Sequence, residues 1–212
     1  MHLIKKYFPH LNEEQMLMLE SLYPIYAEWN RKVNLISRKD IDFFFERHVL
    51  HSLSVLKVTG FSPGTRIMDF GTGGGFPGIP LAIACPACSF WLVDSIGKKI
   101  AVIKDVVAKL GLQNVQAMQT RGEALTEQFD FVVSRAVKSL PVFMLWVRDK
   151  ISDHHRNDLA NGVLYLKGGD VAQELAGLGE GYRIFPLSDY FSEPYFNTKK
   201  IVYLYKKNIN IT

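Results

Sequence analysis

The sequence predicts an α/β fold: a mostly parallel sheet covered by helices and preceded by a helical extension. Three observations carry that expectation. From Thr65 onward, short apolar runs alternate with helix-length segments, giving seven strand candidates. Several of these runs are continuously apolar, as befits strands covered by helices on both faces. A strand-like run at 65–68 leads straight into Asp69-Phe-Gly-Thr-Gly-Gly-Gly-Phe-Pro-Gly-Ile-Pro80, a glycine-rich turn followed by an apolar stretch.

The first sixty residues read as helical. Asn12 is placed to cap a helix with Gln15 three residues on, and Leu11 and Met16 can staple its entry. Leu22, Ile25, Tyr26, Trp29 and Val33 continue a helical period, while Pro24 predicts a kink or break near the preceding residue. A second amphipathic stretch covers 41–57 and ends before Gly60. Strands are expected at Arg66–Phe70, 90–94, Val115–Gln119, 129–134, 163–167, 183–186 and 201–205. Helices are expected at 79–84, 98–110, 140–150 and 171–178. With no internal repeat or low-complexity linker, residues 1–60 form an extension to a core at 61–212, in one compact unit.

Composition narrows the setting. A chain of 212 residues, 48% hydrophobic and 22% charged, has room for one such core. No apolar run approaches the roughly 18 residues of a membrane span, and residues 1–6 lead into no signal segment. The expectation is a cytoplasmic monomer with no membrane partner. Cys85 and Cys88 cannot staple a fold of this size and, lacking a second pair, read as packing residues; no metal site is expected. The net charge of +4 permits a nucleic-acid partner without requiring one. Basic residues gather at Arg31, Lys32, Arg38, Lys39 and Arg47, and again at Lys199, Lys200, Lys206 and Lys207.

The glycines fit two patterns. Gly73-x-Gly75-x-x-Gly78 formally matches a dinucleotide fingerprint with Asp94 as its ribose carboxylate, but Pro77 and Pro80 sit where the phosphate-binding helix should run. Counted from Asp69, the run is Asp-x-Gly-x-Gly-x-Gly, with Gly71, Gly73 and Gly75 clearing space for a nucleoside. A carboxylate there would repel pyrophosphate and favour the cationic sulfonium and ammonium of S-adenosylmethionine. Asp94, ending the next strand, could accept both ribose hydroxyls. Gly122 and Glu123 follow the third sheet strand, where an adenine edge fits, and Arg135 follows the fourth, facing donor and acceptor.

The segment DFGTGGGFPGIPLAIA from Asp69, then Val93-Asp94-Ser95-x-Gly97-Lys98-Lys99 and Ser134-Arg135-Ala136-Val137, resembles the bacterial small-subunit ribosomal RNA methyltransferase G family, RsmG or GidB. Trp29-Asn30-x-x-Val33-Asn34-Leu35, Arg47-His48-x-Leu50-x-Ser52-Leu53 and Lys167-Gly168 resemble further motifs of that family, in order along nearly the whole chain. His51 and Ile36 depart from it, where aspartate and threonine are usual. The resemblance implies a Rossmann-like S-adenosylmethionine-dependent methyltransferase fold with a mostly parallel seven-stranded sheet. It also implies methylation of guanine N7 in 16S ribosomal RNA near the decoding region, on the small subunit or an assembly intermediate. Cofactor positions carry over to Gly71, Phe76, Gly122, Glu123 and Arg135.

Guanine N7 has a free lone pair and no proton, so orientation and electrostatics suffice and no general base is expected. Arg135 and Lys167, at strand ends, are the candidate positioning residues. RNA contact is expected from Asn30, Arg31, Lys32, Asn34, Arg47, His48, His51, Lys98, Lys99, Lys199 and Lys200. Two other readings stay open: a non-enzymatic RNA-binding or assembly protein on the same scaffold, and a small-molecule methyltransferase.

Overall fold

The computed structural model describes residues 1–33, 35–37, 40–135, 137–176, 178 and 181–206. Strands β1 (Arg66–Phe70), β2 (Ser89–Asp94), β3 (Val115–Gln119), β4 (Phe131–Arg135), β5 (Gly162–Gly168), β6 (Tyr182–Pro186) and β7 (Lys199–Tyr205) build one sheet. Its order is β3-β2-β1-β4-β5-β7-β6. The first five strands pair in parallel, and β7 inserts antiparallel between β5 and β6. The strands lie where the apolar runs place them, and the sheet has the predicted mostly parallel, seven-stranded form.

Alternation along each strand divides the core into two layers. Ile67, Phe131, Val133, Leu164 and Leu166 pack on one side of the sheet. Met68, Phe70, Val132, Val163 and Tyr165 pack on the other. Adjacent strand residues point to opposite faces, so strands buried on both sides must be apolar throughout.

Two helices open the chain, α1 (His2–Tyr7) and α2 (Glu13–Asn30). Asn12 Oδ1 accepts the Gln15 amide at 2.8 Å and Gln15 Oε1 accepts the Asn12 amide at 3.0 Å, closing the predicted capping box. Of the kink or break expected near Pro24, the break does not occur: α2 runs through it. Pro24 and Glu20, whose carbonyl loses its helical donor to the proline, are both exposed residues. The 41–57 stretch is not one regular helix. A tight turn at Ile41–Phe43 gives way to a π-helical segment, Phe45–Leu50, before α3 (His51–Leu53) and α4 (Val55–Val58). Ile4, Leu22, Tyr26, Phe44 and Leu53 join Ile79 and Ile103 in the same core layer, so the extension packs directly on the sheet's helices.

Helices α5 (Gly78–Ala84), α6 (Gly97–Leu110), α7 (Leu140–Val147) and α8 (Ala172–Leu175) flank the sheet. The last two are shorter than expected: α7 tightens into a narrower turn at Arg148–Lys150. Among the described residues, no helix is long and apolar enough to cross a membrane.

Candidate functional site

The turns following β1, β2, β3 and β4 leave a cavity of about 710 Å³ at the carboxyl end of the sheet, within the range of small-molecule sites. Gly71, Gly73, Phe76, Asp94, Gly122, Glu123 and Arg135 all line it. Close packing explains two of the glycines, Gly71 and Gly122. At Gly71, φ is +66° and a Cβ would stand 2.5 Å from Val137 Cγ2. A Cβ at Gly122 would come within 2.3 Å of the Phe70 ring. At Gly73 it would meet no atom within 4 Å, so a side chain there would project into open space at the cavity wall.

Two candidates do not line the cavity. A Cβ on Gly75 would meet Ile79 at 2.7 Å and the Tyr26 hydroxyl at 3.0 Å, so this glycine serves packing beneath the loop. Asp69 is fully buried: Oδ2 accepts the Thr72 hydroxyl at 2.6 Å and the Gly78 amide at 2.7 Å. Among the described residues its Oδ1 has no hydrogen-bond partner, and burial pushes the carboxyl pKa up to about 7 against the lowering effect of those donors. Asp69 therefore organises the loop from behind rather than facing a ligand's cation. The same bond bears on the dinucleotide pattern, because a carboxylate occupies the start of α5 where pyrophosphate would sit.

Asp94 does stand at the cavity wall. Oδ2 accepts the Gly73 amide at 3.0 Å and Oδ1 the Ile96 amide at 2.9 Å, which ties the glycine loop to the end of β2. Each oxygen keeps a further lone pair for a ligand hydroxyl. Lys99, expected on the RNA side, instead lines this cavity and approaches Asp94 at 3.5 Å.

Arg135 closes the far wall, 5.5 Å from the centre of the Phe76 ring. Its guanidinium donates to the Arg47 carbonyl at 3.3 Å and stands 3.3 Å from His48 Nδ1. Burial holds the Arg135 pKa below its ordinary value and pushes His48 down to about 4. His51 is buried as well, with Nδ1 3.2 Å from the Tyr195 hydroxyl and its pKa held well below the usual range by burial. A second cavity of about 230 Å³ opens behind Arg135 and His48, with Arg47, His51, Lys167, Tyr195 and Lys199 on its walls.

The model of the family described as rRNA small subunit methyltransferase G matches residues 15–186. The chain belongs to this family. A ribosomal RNA small subunit methyltransferase G from Christiangramia forsetii is 52% identical over 204 residues, covering 96% of each chain. Its counterpart from Cytophaga hutchinsonii is 51% identical, covering 96% of this chain and 99% of the other. Solved structures share the fold at low identity. A SAM-dependent methyltransferase from Aquifex aeolicus aligns with TM-score 0.55 at 16% identity, over 80% of this chain and 98% of that one. MtNAS in complex with MTA and tNA aligns with TM-score 0.57 at 13% identity, over 91% and 70%. The chain thus has the Rossmann-like fold of S-adenosylmethionine-dependent methyltransferases.

Within this family member, the candidate RNA residues divide. Arg47, His48, His51 and Lys199 converge on the second cavity, and so does Lys167, which pairs with Glu174 at 2.9 Å and does not reach the larger cavity. Asn30 is committed elsewhere: Oδ1 accepts the Leu35 and Ile36 amides and Nδ2 donates to the Ile36 carbonyl, folding the turn after α2. Arg31, Lys32 and Lys98 are exposed, Lys32 pairing with Glu28 at 3.1 Å. Lys200 donates to the Gly169 carbonyl at 2.6 Å. Asn34, Arg38, Lys39 and Lys207 lie outside the described residues. Cys85 is half-buried and Cys88 buried. Trp29 is half-buried, its indole donating to Asp105 at 2.7 Å.

Several lining residues were not singled out by sequence reasoning, among them Trp146, Val137 and Tyr195. Trp146 and Val137 line the larger cavity and Tyr195 the smaller. Trp146 lies in an apolar helix and Tyr195 in a short turn, and neither carries a local pattern that marks a site.

Proposed function

We propose that this chain transfers a methyl group from S-adenosylmethionine to N7 of one guanine in 16S ribosomal RNA, near the decoding region. The observation that carries the reading is the family-matched cavity itself, with Gly71, Gly73, Asp94 and Gly122 on one side and Arg135 opposite. The residues fit the cofactor: Gly73 leaves open space at the cavity wall, Gly71 and Gly122 let Val137 and Phe70 pack closely behind that wall, and Asp94 offers carboxylate lone pairs to it.

When bound, S-adenosylmethionine supplies an electrophilic methyl group. Asp94 would hold the ribose, Gly122 and Glu123 the adenine edge, and Gly71, Gly73 and Phe76 the remaining wall. Arg135 fixes the acceptor side, held in turn by the Arg47 carbonyl and His48. Guanine N7 carries no proton, so the chain needs no base; orientation and exclusion of water are its task. The protein acts as a cytoplasmic monomer on the small subunit or an assembly intermediate, where the target base must be turned out of its stack.

The test uses small subunits from cells lacking their own enzyme, purified protein and labelled S-adenosylmethionine, with the product nucleotide identified by mass spectrometry. A single 7-methylguanosine in 16S RNA is the expected result, at higher yield from subunits than from naked RNA. Label at another atom, or in no RNA, rejects the reading.

A further inference from the structure

The second cavity adjoins the first, sharing Arg135 and His48 with it. Its cations come from four distant parts of the chain: Arg47, Arg135, Lys167 and Lys199. Two are already neutralised, Arg47 by Asp40 at 2.6 Å and Lys167 by Glu174 at 2.9 Å. Among the described residues, Arg135 and Lys199 have no carboxylate within 4.0 Å. Among the described residues, the acceptors of the Arg135 guanidinium are neutral, the Arg47 carbonyl and His48 Nδ1. The Lys199 amine rests 4.7 Å from the centre of the Tyr195 ring. A Cβ on Gly168 would meet that amine at 2.9 Å, so the glycine leaves the amine its place.

Arg135, half-buried and offset only by the more distant Asp69 and Asp40 charges, and Lys199, without an ion pair among the described residues, form an arrangement that a bound anion would stabilise. We propose that this cavity is a phosphate subsite for the nucleotide being modified, with the anion held between Arg135 and Lys199. The inference rests on the guanine-N7 reading and deepens it. In an anti purine nucleotide, the N7 edge and the 5′-phosphate lie on the same side of the base. A guanine presenting N7 to the larger cavity therefore carries its phosphate toward the wall that both cavities share. Phosphate and guanidinium are well matched, and charge-assisted bonds of this kind are stronger than neutral ones.

Calorimetric titration of the S-adenosylhomocysteine-saturated protein with guanosine 5′-monophosphate, guanosine and inorganic phosphate tests this. The monophosphate is expected to bind at least about tenfold more tightly than guanosine, a preference that falls below about threefold in Lys199→Gln and returns in Lys199→Arg. Affinity for S-adenosylhomocysteine reports that each variant is folded. Equal binding of nucleotide and nucleoside, undetectable binding of the nucleotide, or a preference that survives Lys199→Gln overturns the proposal. Inorganic phosphate binding as tightly as the nucleotide also overturns it, assigning the cavity to a free anion. If Lys199-dependent nucleotide binding holds while small-subunit RNA stays unmethylated, the subsite stands and the N7 reading falls.

Discussion

Arg135 Nη2 lies 3.3 Å from His48 Nδ1, joining the end of β4 to the N-terminal extension. A guanidinium can only donate, so Nδ1 is the acceptor and the ring proton of His48 sits on Nε2. Burial, and next the Arg135 charge, push its pKa down to about 4 from 6.5. The native ring thus binds fewer protons than the unfolded one below pH 6.5. The stability that His48 contributes is complete above that value and is lost as pH falls toward about 4. Nitrogen-15 spectra should show a neutral Nε2–H tautomer at pH 7 and no His48 titration above about pH 5. Arg135→Met should move the midpoint upward. A midpoint near the free-histidine value in the native protein would contradict this.

Asp69 shifts the other way. Burial raises its pKa from 3.8 to about 7, so the native carboxyl keeps a proton that the unfolded chain releases. Its contribution to stability is complete below pH 3.8 and is lost as pH rises through about 7. Asp69→Asn removes the titration while retaining an acceptor for Thr72 and Gly78. Urea unfolding should therefore show the variant gaining on wild type between pH 4.5 and pH 7.5. Asp69→Ala orphans both donors and should cost about 2–5 kcal/mol. A pH-independent difference between wild type and Asp69→Asn would count against the buried, protonated carboxyl.

Gly122 has no room for a side chain, because a Cβ would strike Phe70, itself part of the cavity wall. Gly122→Ala is expected to weaken S-adenosylhomocysteine binding by about tenfold or more and to destabilise the fold by about 1–3 kcal/mol. Gly60→Ala, where a Cβ meets nothing within 4 Å, is the matched control and should change neither. Calorimetry and thermal melting of the two variants decide it, and equal effects would remove the steric argument.

The buried Tyr26 hydroxyl on α2 donates to the Gly74 carbonyl, fastening the extension to the glycine loop. Tyr26→Phe keeps the ring packing against Phe44 and Phe76 but leaves that carbonyl without this donor. A loss of about 1–2 kcal/mol is expected, with weaker S-adenosylhomocysteine binding, since Gly71 and Gly73 belong to the same loop. Unchanged ligand affinity in a destabilised variant would show that the fastening serves the fold alone.

The parts of the fold legible in the sequence were those with local causes. The Asn12–Gln15 box, the apolar strands and the glycine turn each depend on residues a few positions apart. Where a local rule met a tertiary alternative, it lost. Pro24 did not end α2, which runs through it, and the Asn30 amide is engaged by three backbone groups of the turn that follows α2. Asp69 was legible as important but not as buried, since the motif is silent on which side of the turn the carboxylate lies.

The sequence by itself determined the strand–turn–helix alternation, the sheet and much of the cofactor-sized cavity's wall, from Gly71 to Arg135, because those turns follow parallel strands whose ends share one edge. It also carried the family, through the motifs around Asp69, Asp94 and Arg135. Only the tertiary structure decided which basic residues act together. Arg47, Arg135 and Lys199 belong to the extension, β4 and the antiparallel β7, and only packing of the extension against the sheet and pairing of β7 with β5 bring them to one cavity. The same packing decided which charges are neutralised, because counter-ions such as Asp40 and Glu174 are assigned by proximity in space. Charge in a sequence is a sum, whereas a binding site depends on which charges remain unpaired.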